Sequence, residues 1–198
     1  MTDRTADPRI VPLIVERWSP RAFDGTPLDG GDLAVILEAA ALAPSAFNYQ
    51  PWRFLTATNG DANWARFLSL LVPFNAQWAA QAGALVFIVS DTLSRKADSA
   101  HPNHSHSFDA GAAWALLALQ ATAMGYHAHG MTGVDFDRAR AELHVPDDYR
   151  IEAAVAIGRR ADPAILPEAL RAREVPSGRH AVAQIAAAGD FSALKPAI

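Results

Sequence analysis

Two arginines and a serine lie within five residues of one another near the start of the chain, at Arg17, Ser19 and Arg21. The apolar residues 10–15 before them predict one short helix, so the three polar side chains fall in the loop that follows. A guanidinium offers a planar fork of donors that matches phosphate oxygens, and a serine hydroxyl adds a neutral donor. This spacing suits phosphate binding, although an ordinary charged surface loop is the simpler interpretation when the motif is taken alone.

A second polar loop lies between an amphipathic helix and a predicted strand. It is bounded by prolines and carries amide side chains beside a tryptophan, at Pro44, Ser45, Asn48, Gln50, Pro51 and Trp52. Further candidate positions follow in order along the chain: Asn75, Asp109 with Gly111, the run 130–133 before Asp135, and the basic tail segment 176–179. Several motifs in a fixed order are far more specific than any one of them.

Together these motifs resemble those of the FMN-dependent nitroreductase family, over about residues 9–186. The resemblance implies an α+β, three-layer fold in which helices flank a central mixed β-sheet. It also implies a homodimer with exchanged tails, in which two FMN sites lie at the subunit interface and NAD(P)H is a transient electron donor. The acceptor would be a small molecule.

The resemblance assigns five residues to the phosphate and to the pyrimidine side of the flavin. Arg17 and Ser19 match phosphate-side positions, and Arg179 matches a phosphate-binding position in the tail. Arg21 matches a cation near the N1–C2=O edge of the ring, and Asn75 matches an amide near the pyrimidine edge.

The remaining matches fall in two loops. Thr132 and Gly133 match backbone positions near the flavin O4 and N5 atoms. A loop that reaches the flavin of the other subunit is matched by Pro44, Ser45, Ala46 and Asn48.

The chain departs from the family pattern at three places. Trp78 stands where some members have a lysine, so the positive charge near N1 rests on Arg21 alone. Val134 replaces a frequent phenylalanine, and residues 180–182 replace a basic-proline-leucine sequence, which leaves the register of the tail open.

Length and composition predict one domain over residues 1–198, since 198 residues and 51% hydrophobic content suit a single globular unit. The net charge of −4 gives no broad basic surface for nucleic acid or an anionic membrane. The absence of cysteine excludes disulfides and thiolate metal sites. The apolar stretch 110–125 is too short to span a membrane, and a polar start does not resemble a signal peptide, so we expect a cytoplasmic protein.

Hydrophobic periodicity predicts alternating helices and strands. Asp29 or Asp32 would cap a helix that ends before Pro44, and the alanine-rich segment 108–124 would be the central, most buried helix. Asp135 would cap another helix. We expect strands at Trp52–Thr58, 85–89, 126–131 and 151–157.

Histidines concentrate in the polar segment 93–107, which we interpret as a mobile surface loop. His101, His104 and His106 have spacings that suit a divalent metal, but a solvated loop or part of a lid over the substrate is the better interpretation, and we expect no metal. His127 and His129 alternate on a predicted strand, where one of them would face the active site or both would pack in the core or an interface.

These expectations suggest a redox enzyme without a catalytic triad, because a flavin carries the chemistry itself. We expect hydride transfer from NAD(P)H to nitroaromatic, quinone or similar electrophilic acceptors by a ping-pong mechanism, since no G-x-G-x-x-G fingerprint marks a dedicated dinucleotide site. Two alternatives remain: a family member with another flavin reaction, and a non-catalytic flavin-binding carrier or regulatory protein.

Overall fold

Four strands form the centre of the fold in a computed structural model, which describes Arg4 and residues 6–96 and 99–194. In the order β1–β2–β6–β5 they are Trp52–Thr58, Ala84–Asp91, Tyr149–Gly158 and His127–Met131. All three pairings are antiparallel, so the described sheet is antiparallel and not mixed as expected. The reason is that the described tail after β6, to residue 194, contains no further strand to pair in parallel.

Helices occupy the connections and the tail. The described α-helices, α1 to α8, are Pro12–Glu16, Gly30–Ala41, Trp64–Ser69, Pro73–Ala79, His106–Ala123, Phe136–Glu142, Glu168–Arg171 and Val182–Ile185. Short 3-10 segments lie at Ala46–Asn48, Pro163–Ile165 and Phe191–Ala193. No helix in these described parts of the chain is long and apolar enough to cross a membrane.

Helices cover both faces of the sheet, which confirms the three-layer α+β expectation. On one face α2 and α5 bury an apolar cluster with the sheet that includes Ile36, Leu117, Val86 and Ile157. On the other face Phe67, Trp78, Phe87 and residues of α6 and the tail form a second buried apolar cluster. The β2 strand is buried along its whole length, as expected for a strand covered on both faces.

The α5 helix is buried along one stripe rather than all round. Its buried stripe is rich in alanine, including Ala110, Ala113 and Ala121, which allows the helix to lie close to the sheet. The opposite side, with Phe108 and Ala115, stays open within this chain. The helix therefore has an apolar face that the described parts of the chain leave exposed.

Two aspartates cap helices as the sequence predicts. The Asp29 carboxylate accepts hydrogen bonds from the Gly31 and Asp32 amides at 2.8 and 3.2 Å, and the Asp135 carboxylate accepts one from the Arg138 amide at 3.1 Å. Each cap satisfies donors that the first helical turn leaves unpaired.

The expected mobile loop at residues 93–107 is wrong in its described part. Strands β3 (Leu93–Lys96) and β4 (Ser99–Pro102) form an antiparallel hairpin that leads into α5. The Arg95 guanidinium anchors the hairpin through hydrogen bonds to the Asp91 and Asp148 carboxylates. Hydrophobic patterning did not predict this hairpin, because its side chains are largely exposed to solvent. Backbone pairing and the ion pairs of Arg95 hold the hairpin instead.

Candidate functional site

An open groove of about 540 Å³ lies between α5 and the ends of α1 and β5. Its size falls within the range of small-molecule sites. It brings together Arg17 and Ser19, which lie in one loop, with Thr132 from a segment distant in sequence. The lining residues are Ile14, Arg17, Ser19, Trp114, Ala115, Ala118, Leu119, Gly130, Met131, Thr132 and Ala153.

One end of the groove is cationic. Arg17 is the residue at which α1 ends, and its Nη1 donates a 3.4 Å hydrogen bond to Ser19 Oγ. Burial lowers the pKa of Arg17, and the neighbouring Arg4 and Arg179 cations lower it further. Because an anion would relieve this repulsion, the groove end favours a negatively charged ligand.

Arg179 of the tail lies close enough to lower the pKa of Arg17, although it does not line the groove, and its phosphate-binding role stays a prediction. Its Nη1 donates to the Ser177 carbonyl at 3.1 Å, and the Arg4 Nε donates to that same carbonyl at 3.0 Å. Across the described parts of the chain, no carboxylate forms an ion pair with Arg4, Arg17 or Arg179. Sequence reasoning missed Arg4, because a lone arginine near the start of a chain carries no motif.

Asn75 and Gly133 contact each other next to Thr132, although neither of them lines the groove, and their roles at a flavin stay predictions. The Asn75 Nδ2 donates to the Gly133 carbonyl at 3.2 Å, and the Val72 amide donates to that carbonyl at 3.1 Å. A Cβ atom at position 133 would lie 2.3 Å from Asn75 Nδ2 and 2.9 Å from Val72 Cγ2. Glycine at position 133 therefore allows the Asn75 and Val72 side chains to lie close to the loop.

Replacing Gly133 with alanine is expected to lower the free energy of unfolding by about 1–3 kcal/mol, because the added methyl overlaps the Asn75 amide and the Val72 methyl and displaces these side chains. Chemical denaturation measures the change. Gly30→Ala is the control, since a Cβ there meets nothing within 4 Å. A Gly133→Ala protein as stable as the wild type would contradict this account, and Asn75→Ala in the same background should recover part of the loss.

Arg21 lies apart from Arg17 and Ser19. Its side chain lines a second groove of about 800 Å³ with Trp78, and its backbone amide donates to Glu174 Oε1 at 2.8 Å. Burial lowers the pKa of Arg21, and the Arg173 cation lowers it further. The Glu174 carboxylate acts in the opposite direction. Arg21 Nε and Trp78 Nε1 are both buried donors with no hydrogen-bond partner. The role of Arg21 at a flavin edge stays a prediction.

The Pro44–Asn48 loop is strained and faces outward. Phe47, Asn48 and Gln50 adopt positive φ angles of 50°, 56° and 49°, each at a cost of about 1–3 kcal/mol. The buried Asp109 carboxylate holds the loop by accepting from the Ala46 amide at 3.2 Å, and Ser45 Oγ accepts from the Gln50 amide at 3.0 Å.

The strained loop presents Phe47, which is 91% exposed. None of the four predicted residues Pro44, Ser45, Ala46 and Asn48 lines the Arg17 groove of its own chain. Their contact with a flavin of another subunit stays a prediction. The sequence alone offered no sign that Asp109 would hold this loop.

His129 lies close enough to Arg17 and Arg21 for both cations to act on its pKa. Its Nδ1 is 2.8 Å from the Pro20 carbonyl, and its ring centroid is 4.6 Å from that of Trp78. Burial lowers the pKa of His129 to about 4, and the Arg21 and Arg17 cations act in the same direction. The imidazole is therefore neutral at pH 7, and its Nδ1–H donates to Pro20. The alternation of His127 and His129 on a predicted strand was the only feature of the sequence that pointed to a buried histidine here.

The three loop histidines do not converge. His101 lies on β4, whereas His106 begins α5 and places Nδ1 2.8 Å from Ser90 Oγ. Ser90 Oγ also donates to Glu152 Oε1 at 2.6 Å. Within the described ranges, no group of three or more potential ligand side chains is arranged to hold a metal ion.

Comparison with known families decides the class of the chain. The model of the nitroreductase family matches residues 14–71 and 63–159, which contain the Arg17 groove, the strained loop and Gly133. The chain belongs to the nitroreductase family. The resemblance read from the motifs is confirmed, and with it the oxidoreductase class.

Solved structures and characterised relatives agree with the family. A structure described as an oxidoreductase containing FMN superposes with a TM-score of 0.93 at 46% identity, covering 96% of this chain and 97% of that one. A CLA biosynthesis enone reductase of Lactiplantibacillus plantarum is 28% identical over 75% of this chain and 84% of its own length. An NADH dehydrogenase of Thermus thermophilus is 28% identical over 75% and 85%.

Proposed function

We propose that this nitroreductase-family chain is an FMN-dependent oxidoreductase, which transfers hydride from NAD(P)H to nitroaromatic, quinone or similar electrophilic acceptors. The observation that carries the proposal is one groove that contains Thr132 at a loop and Arg17, which forms no ion pair with any residue that the structure describes. The similar structure described as containing FMN supports the choice of cofactor.

The residues present fit a flavin mononucleotide. Arg17, Ser19 and Arg179 would donate to the phosphate. Neither of the two arginines forms an ion pair with an acidic side chain among the described residues. Gly130 allows the Trp114 ring to pack against the wall of the groove, because a Cβ there would lie 3.1 Å from Trp114. The charged end of the groove therefore suits the phosphate, and Trp114 gives the groove an aromatic lining residue.

A bound flavin would supply the hydride chemistry, and the chain would supply binding and positioning. Arg17 and Ser19 would hold the phosphate, while the backbone at Thr132 and Gly133 would orient the ring. Asn75 fixes that backbone by its bond to the Gly133 carbonyl. Ping-pong kinetics follow if donor and acceptor occupy the same open face in turn, since the chain has no dinucleotide fingerprint.

We also propose that the protein works as a homodimer. Large apolar side chains stay exposed on the single chain, including Phe47, Phe108 and Phe191, and the strained loop points away from its own groove. Exposed apolar area of this kind favours a second copy as the cover. The dimer would be contradicted if light scattering gave the mass of a monomer for a protein that carries one FMN per chain. The cytoplasmic location stays a prediction.

One alternative acceptor class has a specific observation in its favour. The relative named as a CLA biosynthesis enone reductase suggests that an α,β-unsaturated ketone is a second candidate acceptor. A non-catalytic carrier is the alternative outside enzymology. Steady-state assays with a nitroaromatic, a quinone and an enone as acceptors rank the enzyme candidates.

The purified protein is expected to be yellow, and NADH or NADPH should bleach its flavin absorbance under anaerobic conditions. Adding an acceptor should restore the absorbance. Flavin that binds but is reduced by neither nucleotide would support the carrier, whereas a protein that binds no flavin would overturn the proposed function.

A further inference from the structure

Arg4 joins three segments of the chain beside Arg17, whose side chain lines the groove. Its Nη1 donates to the Val15 and Arg17 carbonyls at 2.9 and 2.7 Å, and its Nε donates to the Ser177 carbonyl at 3.0 Å. The residue thus links the start of the chain to the end of α1 and to the tail. These bonds use Nε and Nη1, and none of them involves Nη2.

The shared Ser177 carbonyl sets two guanidinium groups side by side, because Arg179 Nη1 donates to it as well. Burial lowers the pKa of Arg4, and the Arg179 cation lowers it further. Arg9, a few residues further along the chain, differs from Arg4 in forming an ion pair: its guanidinium lies 2.6 Å from the Asp7 carboxylate. Three cations without such a partner repel one another unless an anion joins them.

We propose that Arg4 is a third phosphate-binding residue, which completes with Arg17 and Arg179 a site for a phosphate monoester. The inference rests on the proposed function in taking that monoester to be the phosphate of FMN. A dianionic phosphate has enough acceptor oxygens for three guanidinium groups, and charge-assisted bonds to it are the strong class of hydrogen bond. Binding of the cofactor then also fixes the first residues and the tail against the groove.

The test compares FMN with riboflavin, which lacks the phosphate, in apo-protein titrations followed by flavin fluorescence. Arg4→Gln removes the charge and is expected to raise the dissociation constant for FMN about tenfold, the effect of one charge-assisted hydrogen bond. Riboflavin binding should change less than twofold. Arg4→Lys keeps the charge and should recover most of the FMN affinity. Arg9→Gln, which removes an exposed and already paired arginine, should leave both constants unchanged.

Every other result either contradicts the phosphate-binding role of Arg4 or points to a different ligand. Equal losses for FMN and riboflavin would show that Arg4 only anchors the tail, and an unchanged FMN constant would remove it from the site. If the wild type binds neither flavin, the proposed function fails, and NADP+ and NAD+ become the probes. A preference for NADP+ that Arg4→Gln abolishes would keep the phosphate role, whereas no preference would overturn it.

Discussion

Replacing Arg17 with alanine is expected to weaken FMN binding by about tenfold to a hundredfold. The guanidinium lies at the end of α1 beside Ser19 Oγ, and charge-assisted hydrogen bonds contribute about 1.5–3 kcal/mol each. The loss should shrink at high salt, because the interaction is between charges in a groove open to solvent. Fluorescence titration of apo-protein with FMN measures the change.

Riboflavin separates a phosphate contact from a general defect. It should bind the wild type weakly and be little affected by Arg17→Ala. Arg66→Ala is a matched control, since Arg66 is an exposed arginine on α3, outside the groove, whose guanidinium donates to Asn63 Oδ1 at 2.8 Å and lies over the Phe67 ring. Parallel losses for FMN and riboflavin would place Arg17 in a structural role.

Acidification is expected to destabilise the apo-protein through His129. Its pKa of about 4 in the folded chain lies below the ordinary 6.5, so the unfolded chain binds more protons between these values. The stabilisation is fully present above pH 6.5 and is lost as the pH falls towards 4. The difference corresponds to about 3 kcal/mol at most, at 1.36 kcal/mol per pKa unit.

His129→Gln should flatten this pH dependence, because the amide can donate to the Pro20 carbonyl without a proton to gain. Denaturation at several pH values between 6.5 and 4.5 measures the two slopes. His127 leaves a residual slope in both proteins, since burial lowers its pKa too. Identical slopes for wild type and variant would show that the His129 imidazole is solvated in the folded chain.

The sequence predicted whatever is encoded within a few neighbouring residues. The caps Asp29 and Asp135, the buried β2 run and the loop that carries Arg17 and Ser19 all follow from local rules, because a cap or a strand depends on its own turn or alternation. The order of the motifs along the chain was enough to indicate the family. Where hydrophobic patterning was weak, as in the β3–β4 hairpin, the prediction failed.

Only the tertiary structure decided which of these residues meet. Arg4, Arg17 and Arg179 lie up to 175 positions apart in sequence, and a carbonyl of the tail brings two of them together. The contact of Asn75 with Gly133 likewise depends on how α4 approaches a loop after β5. Such contacts arise from the packing of helices on a sheet, and periodicity within one segment carries no information about them. The sequence by itself determined the chemistry of the groups, and the fold determined their distances.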